Sequence, residues 1–372
     1  MSLRVAIRKR FGRSGGTLPE GPGRGFVLET EFETGDEPGC LGILGASGSG
    51  KSLTLKCIAG IERPDEGRIE VNGRVLFDSA GGINLKPQER RVGYLFQHYA
   101  LFPRMRVLEN ITVGLPAFRR EDRSRTLERA REWIERLGLT ELEGRYPAQL
   151  SGGQQQRTAL ARMLIREPEL ILLDEPFSAL DSGLREQMQL HFTKLFHSRR
   201  DIVMVTHSRD EAYKLCHEIL VIEGGRVLGK NKTPELFRNP GVVGVARLTG
   251  CKNISPIRQS AAREILALDW GLTLRLKEPL PPGISHVGIR AHDFSPVPPG
   301  GGPVNEVPIE VLRRLEEPFE EVVIFRLAGG ETGERGELWW KFSKYLGLSI
   351  PEKLYIPPEA LLLLSEDIRE QG

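Results

Sequence analysis

The stretch Gly45-Ala46-Ser47-Gly48-Ser49-Gly50-Lys51-Ser52 constrains this chain more than any other. It follows the apolar run Leu41-Gly42-Ile43-Leu44 and opens onto Leu53-Thr54-Leu55-Lys56-Cys57-Ile58-Ala59, whose apolar residues recur at helical spacing. Strand, glycine loop and helix form the setting in which such a loop cradles phosphate. The glycines let backbone N–H groups turn toward phosphate oxygens, and the new helix presents its positive end to the same anion. In that geometry Lys51 reaches the β- and γ-phosphates and the Ser52 hydroxyl sits on Mg²⁺. A Gly-Ser turn matches the pattern by accident in about one chain per hundred of this length. The strand-to-helix setting makes accident rarer still.

Composition removes several other function classes. With 372 residues the chain has room for two domains and a large core. A formal net charge of +2 gives no reason to expect a nucleic-acid partner, and Arg8-Lys9-Arg10 reads as a solvated strand edge. Cys40, Cys57, Cys216 and Cys251 form no C-x-x-C pair, as expected of a reduced cytosolic protein without a zinc site. No apolar run approaches the ~18 residues that cross a bilayer, and the N-terminus lacks a signal-peptide core. Work at a membrane would need a partner that supplies the spanning helices.

Taken in order, residues 3–7 and 26–32 alternate apolar and polar side chains and predict antiparallel strands. A Gly/Pro-rich surface turn is expected over 12–25. Phe11, at the end of the first strand, either stacks on an adenine ring or serves as a turn aromatic, with Phe26 as its competitor. The pair Asn72-Gly73 predicts a hairpin between Arg68-Val71 and Val75-Phe77. A strand over 91–96 delivers the amide of Gln97 to its C-terminal end, where ligands of α/β sheets bind. A helical insertion is expected over about 98–150, with Thr126 to Leu139 at helical spacing.

Ser151 suits the N-cap of a helix over Gln155 to Arg166, and Gly152-Gly153 beside it makes a second place where backbone amides can meet an anion. Leu170-Ile171-Leu172-Leu173 has the continuous apolarity of a buried parallel strand and ends in Asp174-Glu175. Ser178 to Asp181 leads into a helix reaching about His197. Ile202 to Thr206 is a second buried strand, ending in His207. Strands alternating with helices predict an α/β parallel sheet. Past Asn239-Pro240-Gly241 the texture changes to short alternating strands separated by turns such as Pro298 to Pro303, which suggests a small β-barrel. The expected division is 1–240 and 241–372.

These motifs, in this order, resemble the ATP-binding subunits of ABC transporters across residues 1–240. Gly45 to Ser52 matches the Walker A loop, Gln97 the Q-loop, Leu150-Ser151-Gly152-Gly153-Gln154 the signature, and Leu170 to Asp174 Walker B. Ser178 to Asp181 matches the D-loop and His207 the switch histidine. The resemblance implies a P-loop ABC ATPase domain with helical and antiparallel β subdomains. It implies that ATP is hydrolysed with Glu175 polarising the attacking water and His207, Gln97 and Lys51 assisting. Mg²⁺ would be held directly by Ser52 and Gln97 and through its water shell by Asp174. Gly45, Ala46, Ser47, Gly48, Ser49, Gly50, Lys51, Ser52 and Leu53 would line the nucleotide. Ser151, Gly152, Gly153 and Gln154 would contact it from an opposing subunit of a homodimer. Leu53 departs from the family, in which many members carry Thr, and gives up one possible hydroxyl contact.

Beyond residue 240, Leu248 to Asn253 and Val287 to Arg290 resemble the oligonucleotide-binding-type (OB-type) domain appended to ATPases of prokaryotic solute importers. Phe77-Asp78 to Gly82, Arg90 to Tyr94 and Leu354 to Glu359 resemble molybdate importers most, with sulfate and ferric-iron importers sharing much of them. The implied role is a peripheral subunit on the cytoplasmic face of the cell membrane. Its implied partners are two permease subunits and an extracytoplasmic solute-binding protein, and its cargo is molybdate, tungstate or sulfate. An importer of another solute (ferric iron, sugar, polyamine) is the alternative. A non-transport ABC ATPase fits less well, because there is one cassette and no heptad run. The C-terminal domain would be a regulatory or oxyanion-binding module.

Overall fold

The computed structural model describes residues 2–11, 25–34, 39–113, 115, 123–196, 201–298, 305–328 and 336–366. Most of the expected turn over 12–25, the turn residues after Pro298, and His197 lie outside them. The chain forms two compact units, Met1–Thr233 and Pro234–Gly372.

In the first unit, β1 (Leu3–Arg10) pairs antiparallel with β2 (Val27–Glu33), from Arg4 opposite Glu33 to Arg10 opposite Val27. Then come β3 (Gly39–Leu44), α1 (Lys51–Ala59), β4 (Glu66–Val71) and β5 (Arg74–Asp78). Asn72 (φ 50°) and Gly73 (φ 77°) supply the two left-handed residues of the β4–β5 hairpin turn. After β6 (Ile83–Asn84) and β7 (Val92–Leu95), the chain leaves the sheet for α2 (Val107–Thr112), α3 (Arg123–Arg136) and α4 (Gly152–Leu164). It returns as β8 (Leu170–Asp174), α5 (Ser182–Phe196), β9 (Asp201–Thr206), α6 (Arg209–Leu215), β10 (Glu218–Glu223) and β11 (Arg226–Lys232).

The strands join in one mixed sheet, ordered β6-β5-β4-β1-β2-β11-β10-β3-β9-β8-β7. The ladder from β10 through β3, β9 and β8 to β7 is parallel throughout. The ladders from β6 to β2 are antiparallel, and a parallel bridge between Arg226 and Glu29 joins the two halves. Every residue of β8 is buried, which is why that strand reads as unbroken apolarity. Leu55 and Ile58 of α1 pack with Ile43, Leu172 and Val205 in the shared core.

Two helices differ from their expected bounds. α3 starts and ends three residues early, with Gly138 taking a left-handed φ of 62° beyond it. α4 begins at Gly152 instead of Gln155 because Ser151 and Gln154 cap one another. Gln154 N–H reaches Ser151 Oγ at 3.4 Å and Ser151 N–H reaches Gln154 Oε1 at 2.8 Å. The two glycines therefore form the first turn of the helix.

The second unit opens with α7 (Thr233–Arg238), which starts at the division, and continues with α8 (Val243–Leu248) and, among the described residues, nine strands of 3 to 12 residues. One antiparallel sheet holds β12 (Asn253–Ala261), β13 (Glu264–Ala267), β14 (Leu272–Arg275), β15 (His286–Ile289) and β20 (Leu362–Leu364). The other holds β16 (Asn305–Glu316), β17 (Glu320–Leu327), β18 (Leu338–Ser343) and β19 (Lys353–Ile356). Inward residues of both sheets, among them Leu274, Val287, Phe325 and Trp340, form its core. Among the described residues no helix is long and apolar enough to cross a membrane. All four cysteines are free, with Cys40 Sγ and Cys216 Sγ 3.7 Å apart.

Arg90 closes the far end of α1. Its guanidinium, 1% exposed, donates to the Cys57 and Ile58 carbonyls at 2.8 Å and to Leu85 O and Asn84 Oδ1 at 2.9 Å. Cys57 O also accepts from the Gly60 N–H at 3.2 Å, whereas Ile58 O, at the helix end, has Arg90 as its donor. Arg90→Met should therefore leave Ile58 O and the Leu85 and Asn84 oxygens without that donor and cost roughly 2–4 kcal/mol. A urea unfolding midpoint equal to wild type would show that the fork holds nothing together.

Candidate nucleotide-binding site

The parallel ladder sets the site. Leu44 lies opposite Thr206, Asp174 opposite Val205, and Leu95 opposite Leu173. The four strands thus end at nearly one level, and the residues just past them are Gly45, His207, Glu175 and Phe96-Gln97. In the loop after β3, Gly50 takes φ 105°, and a Cβ there would stand 2.7 Å from Leu28 Cδ1, so only glycine fits. Lys51 is the first residue of α1 and only 4% exposed. Its ammonium donates to Gly45 O and Ala46 O, both at 2.8 Å. Burial lowers its pKa from the ordinary lysine value, and the carboxylates of Glu175 and Asp174 oppose that fall.

Asp174, 5% exposed, accepts a hydrogen bond on each oxygen. Ser52 Oγ donates to Oδ1 at 2.7 Å and Tyr94 OH to Oδ2 at 2.8 Å. Burial first, and then the Asp174 carboxylate, raise the Tyr94 phenol above the usual tyrosine range and keep it a donor. Sequence reasoning missed Tyr94. On β7 it reads as one more strand residue, and its partner is 80 positions away.

Glu175 is the strained member, with a left-handed φ of 46° immediately before Pro176. Such a conformation in a non-glycine residue costs about 1–3 kcal/mol and persists where the surroundings enforce it. Its N–H donates to Val205 O at 3.0 Å, and its carbonyl accepts from Ser178 Oγ at 2.9 Å. Its carboxylate meets Gln97 Nε2 at 3.2 Å and His207 Nδ1 at 3.3 Å. Three residues singled out in the sequence, Gln97, Glu175 and His207, therefore stand in one cluster.

A divalent cation fits the donors beside it. The Ser52 hydroxyl, the Asp174 carboxylate and the Gln97 amide are hard oxygen ligands of the kind Mg²⁺ takes. Ser52 and Asp174 already converge at 2.7 Å. Among the described residues no group of three His, Cys, Asp or Glu is placed to hold a metal. The donor set thus joins one carboxylate to hydroxyl and amide oxygens.

Other expected residues stand apart from this cluster. Phe11 is 43% exposed, with Lys9 Nζ 5.6 Å from its ring centre, and its N–H donates to Phe26 O at 2.8 Å. Leu53 packs against the core of the first unit. In the signature, a Cβ on Gly153 would lie 2.9 Å from the Leu184 methyls, so Leu184 would have to shift to admit any larger residue there. A Cβ on Gly152 would make only ordinary contacts, with Leu180 Cδ2 at 3.5 Å and Ala179 O at 3.8 Å. Among the described residues no contact requires a glycine at 152.

Glu175→Gln keeps the shape of the cluster and loses the carboxylate. It should bind ATP as wild type does and hydrolyse it at least a hundredfold more slowly, as single-turnover assays would show. Normal turnover would move the base elsewhere, with His207 next in line.

Residues 34–178 match the ABC transporter family model. The sulfate/thiosulfate import ATP-binding protein CysA of Bradyrhizobium diazoefficiens is 36% identical over 305 residues, 79% of this chain and 83% of that protein. The molybdenum import ATP-binding protein ModC of Paramagnetospirillum magneticum is 39% identical over 220 residues, 58% of this chain and 59% of that protein. Among solved structures, a dimeric ATP-binding cassette in a post-hydrolysis state bound to ADP and Pi superposes with a TM-score of 0.51. It is 28% identical and covers 63% of this chain and 99% of its own. Glycine loop, paired carboxylates and strand-end histidine agree with these likenesses, and the chain belongs to the ABC transporter family as one of its ATP-hydrolysing subunits.

Proposed function

We propose that this protein is the energy-coupling subunit of an oxyanion importer. The observation that carries the proposal is the extent of the sulfate/thiosulfate likeness. Its 305 aligned residues exceed the 233 of the first unit, so the similarity runs into the C-terminal unit. Molybdate and tungstate stand beside sulfate as cargo, on the likeness to the molybdenum import protein. The test is ATP hydrolysis by this subunit reconstituted with its permease and binding protein in proteoliposomes. Stimulation by sulfate, thiosulfate, molybdate or tungstate is expected. A response to ferric iron, sugar or polyamine with none to oxyanions would overturn the assignment.

In the proposed reaction, Lys51 turns its ammonium from the Gly45 and Ala46 carbonyls to the β- and γ-phosphates. The Glu175 carboxylate takes up the proton of the attacking water. His207 and Gln97, both at that carboxylate, hold it and the water in line. Ser52, Asp174 and Gln97 would hold Mg²⁺, which neutralises charge on the phosphate oxygens.

The free space at Gly152 supports an approach from outside the chain, by the γ-phosphate bound to a second copy. In that head-to-tail homodimer Ser151, Gly152, Gly153 and Gln154 complete the partner's site. Mixing Lys51→Ala with Gly152→Asp subunits tests this. In the trans arrangement one site of the mixed dimer carries both lesions and the other neither. Some hydrolysis should therefore return that neither homodimer shows. Lack of recovery with dimers confirmed would reject the arrangement.

For the membrane partner we infer the cleft of about 680 Å³ lined by Tyr94, Phe96, Phe102, Val113, Arg162 and Met163. Arg162 stiffens its rim by donating to Tyr99 O and Ala100 O at 2.7 Å. Phe96, Phe102 and Val113 are exposed apolar residues of the kind that docking surfaces use. The protein would then sit at the cytoplasmic face of the membrane, held by its permease. The second unit is proposed as an OB-type regulatory domain. Its two short-stranded antiparallel sheets and the Leu248–Asn253 and Val287–Arg290 stretches support that reading.

A further inference from the structure

We infer that Tyr94 is a positioning residue for the cation site, its hydroxyl fixing the plane of the Asp174 carboxylate. The inference rests on the proposed roles of Ser52 and Asp174 and adds a group outside the glycine loop, the signature, the paired carboxylates, Gln97 and His207. Tyr94 is the third residue of β7 and lies opposite Leu172, two residues short of Asp174 along the neighbouring strand. That is about 6.5 Å along the strand direction. Serine or threonine at 94 would fall short, and phenylalanine would arrive without a donor. A tyrosine phenol spans the gap and delivers its proton to Oδ2 at 2.8 Å.

The two oxygens of Asp174 have different company. Oδ1 accepts from Ser52, itself an expected cation ligand, so its surroundings change when a cation–nucleotide complex binds. Oδ2 accepts from Tyr94, which is no ligand and is anchored independently. The Tyr94 ring lies against Phe96, with centroids 4.5 Å apart, and against the core of the first unit. Tyr94 thus holds one end of the carboxylate while the other end exchanges partners. Without the hydroxyl, Asp174 would be free to turn about its Cβ–Cγ bond, and a nearly buried oxygen would lose its donor. Groups that orient metal ligands in this way are typically worth 10–100-fold in metal affinity.

The experiment compares wild type, Tyr94→Phe and Asp174→Asn as full-length protein. Mn²⁺ binding in the presence of a non-hydrolysable ATP analogue is followed by electron paramagnetic resonance. Tyr94→Phe should bind Mn²⁺ about 10–100-fold more weakly. Its nucleotide affinity in EDTA should stay close to wild type and its melting temperature should fall by only a few degrees, because the ring and its packing remain and one hydrogen bond is lost. In hydrolysis the same variant should need more Mg²⁺ for half-maximal rate and recover most of its turnover at saturating Mg²⁺. Wild-type Mn²⁺ affinity in Tyr94→Phe, with Asp174→Asn impaired, would overturn the positioning role and leave the cation site standing. Wild-type affinity in both variants would overturn the cation site and the inference with it. A large fall in melting temperature of Tyr94→Phe with unchanged Mn²⁺ affinity would assign the hydroxyl to stability alone.

Discussion

Parallel register is the constraint on which the rest depends. β3, β9, β8 and β7 pair so that Leu44, Thr206, Asp174 and Leu95 finish within about a residue of one level. β8 is buried along its whole length and β7 at the sheet edge on one face, so a slip of one residue would break a ladder and move polar end residues into the core. The functional side chains inherit this alignment. A lysine, two carboxylates, an amide and a histidine, drawn from positions 51 to 207, meet because hydrogen-bonded strands end together. Ligands of open α/β sheets bind at such carboxyl ends.

Strain and satisfaction are unevenly shared within the cluster. Asp174 sits in ordinary strand geometry with a hydroxyl on each oxygen, and it is well satisfied. Glu175, the next residue, takes a left-handed backbone before a proline, and its carboxylate is held by an amide and an imidazole. One carboxylate is built to stay still. The other is held where an unconstrained chain would not place it, which suits a group that must face a water instead of the strand beside it. Lys51 adds a third case, an ammonium kept nearly buried by backbone carbonyls of its own loop.

Much of this was legible in the sequence because it is local. Glycine loop before helix, apolar strand before Asp174-Glu175, and Asn72-Gly73 between alternating runs each carry their geometry within ten residues. The parts that stayed hidden are contacts between distant positions. Tyr94 meets Asp174 across 80 positions, and Arg90 reaches back 33 to Cys57. Neither has a local signature, since a tyrosine in a strand and an arginine before one are both ordinary. The start of α4 was missed for a different reason. Two glycines are poor helix formers, and only the reciprocal cap of Ser151 and Gln154 draws them into the first turn.

The backbone at Glu175 also bears on how such a protein would respond to laboratory evolution. Glycine or asparagine takes a left-handed φ more readily than glutamate does. A library screened only for heat resistance would therefore gain by discarding the carboxylate, and the hardiest survivors would include chains that no longer turn over. Robustness and turnover pull this one position in opposite directions, so screening for either alone would misjudge it.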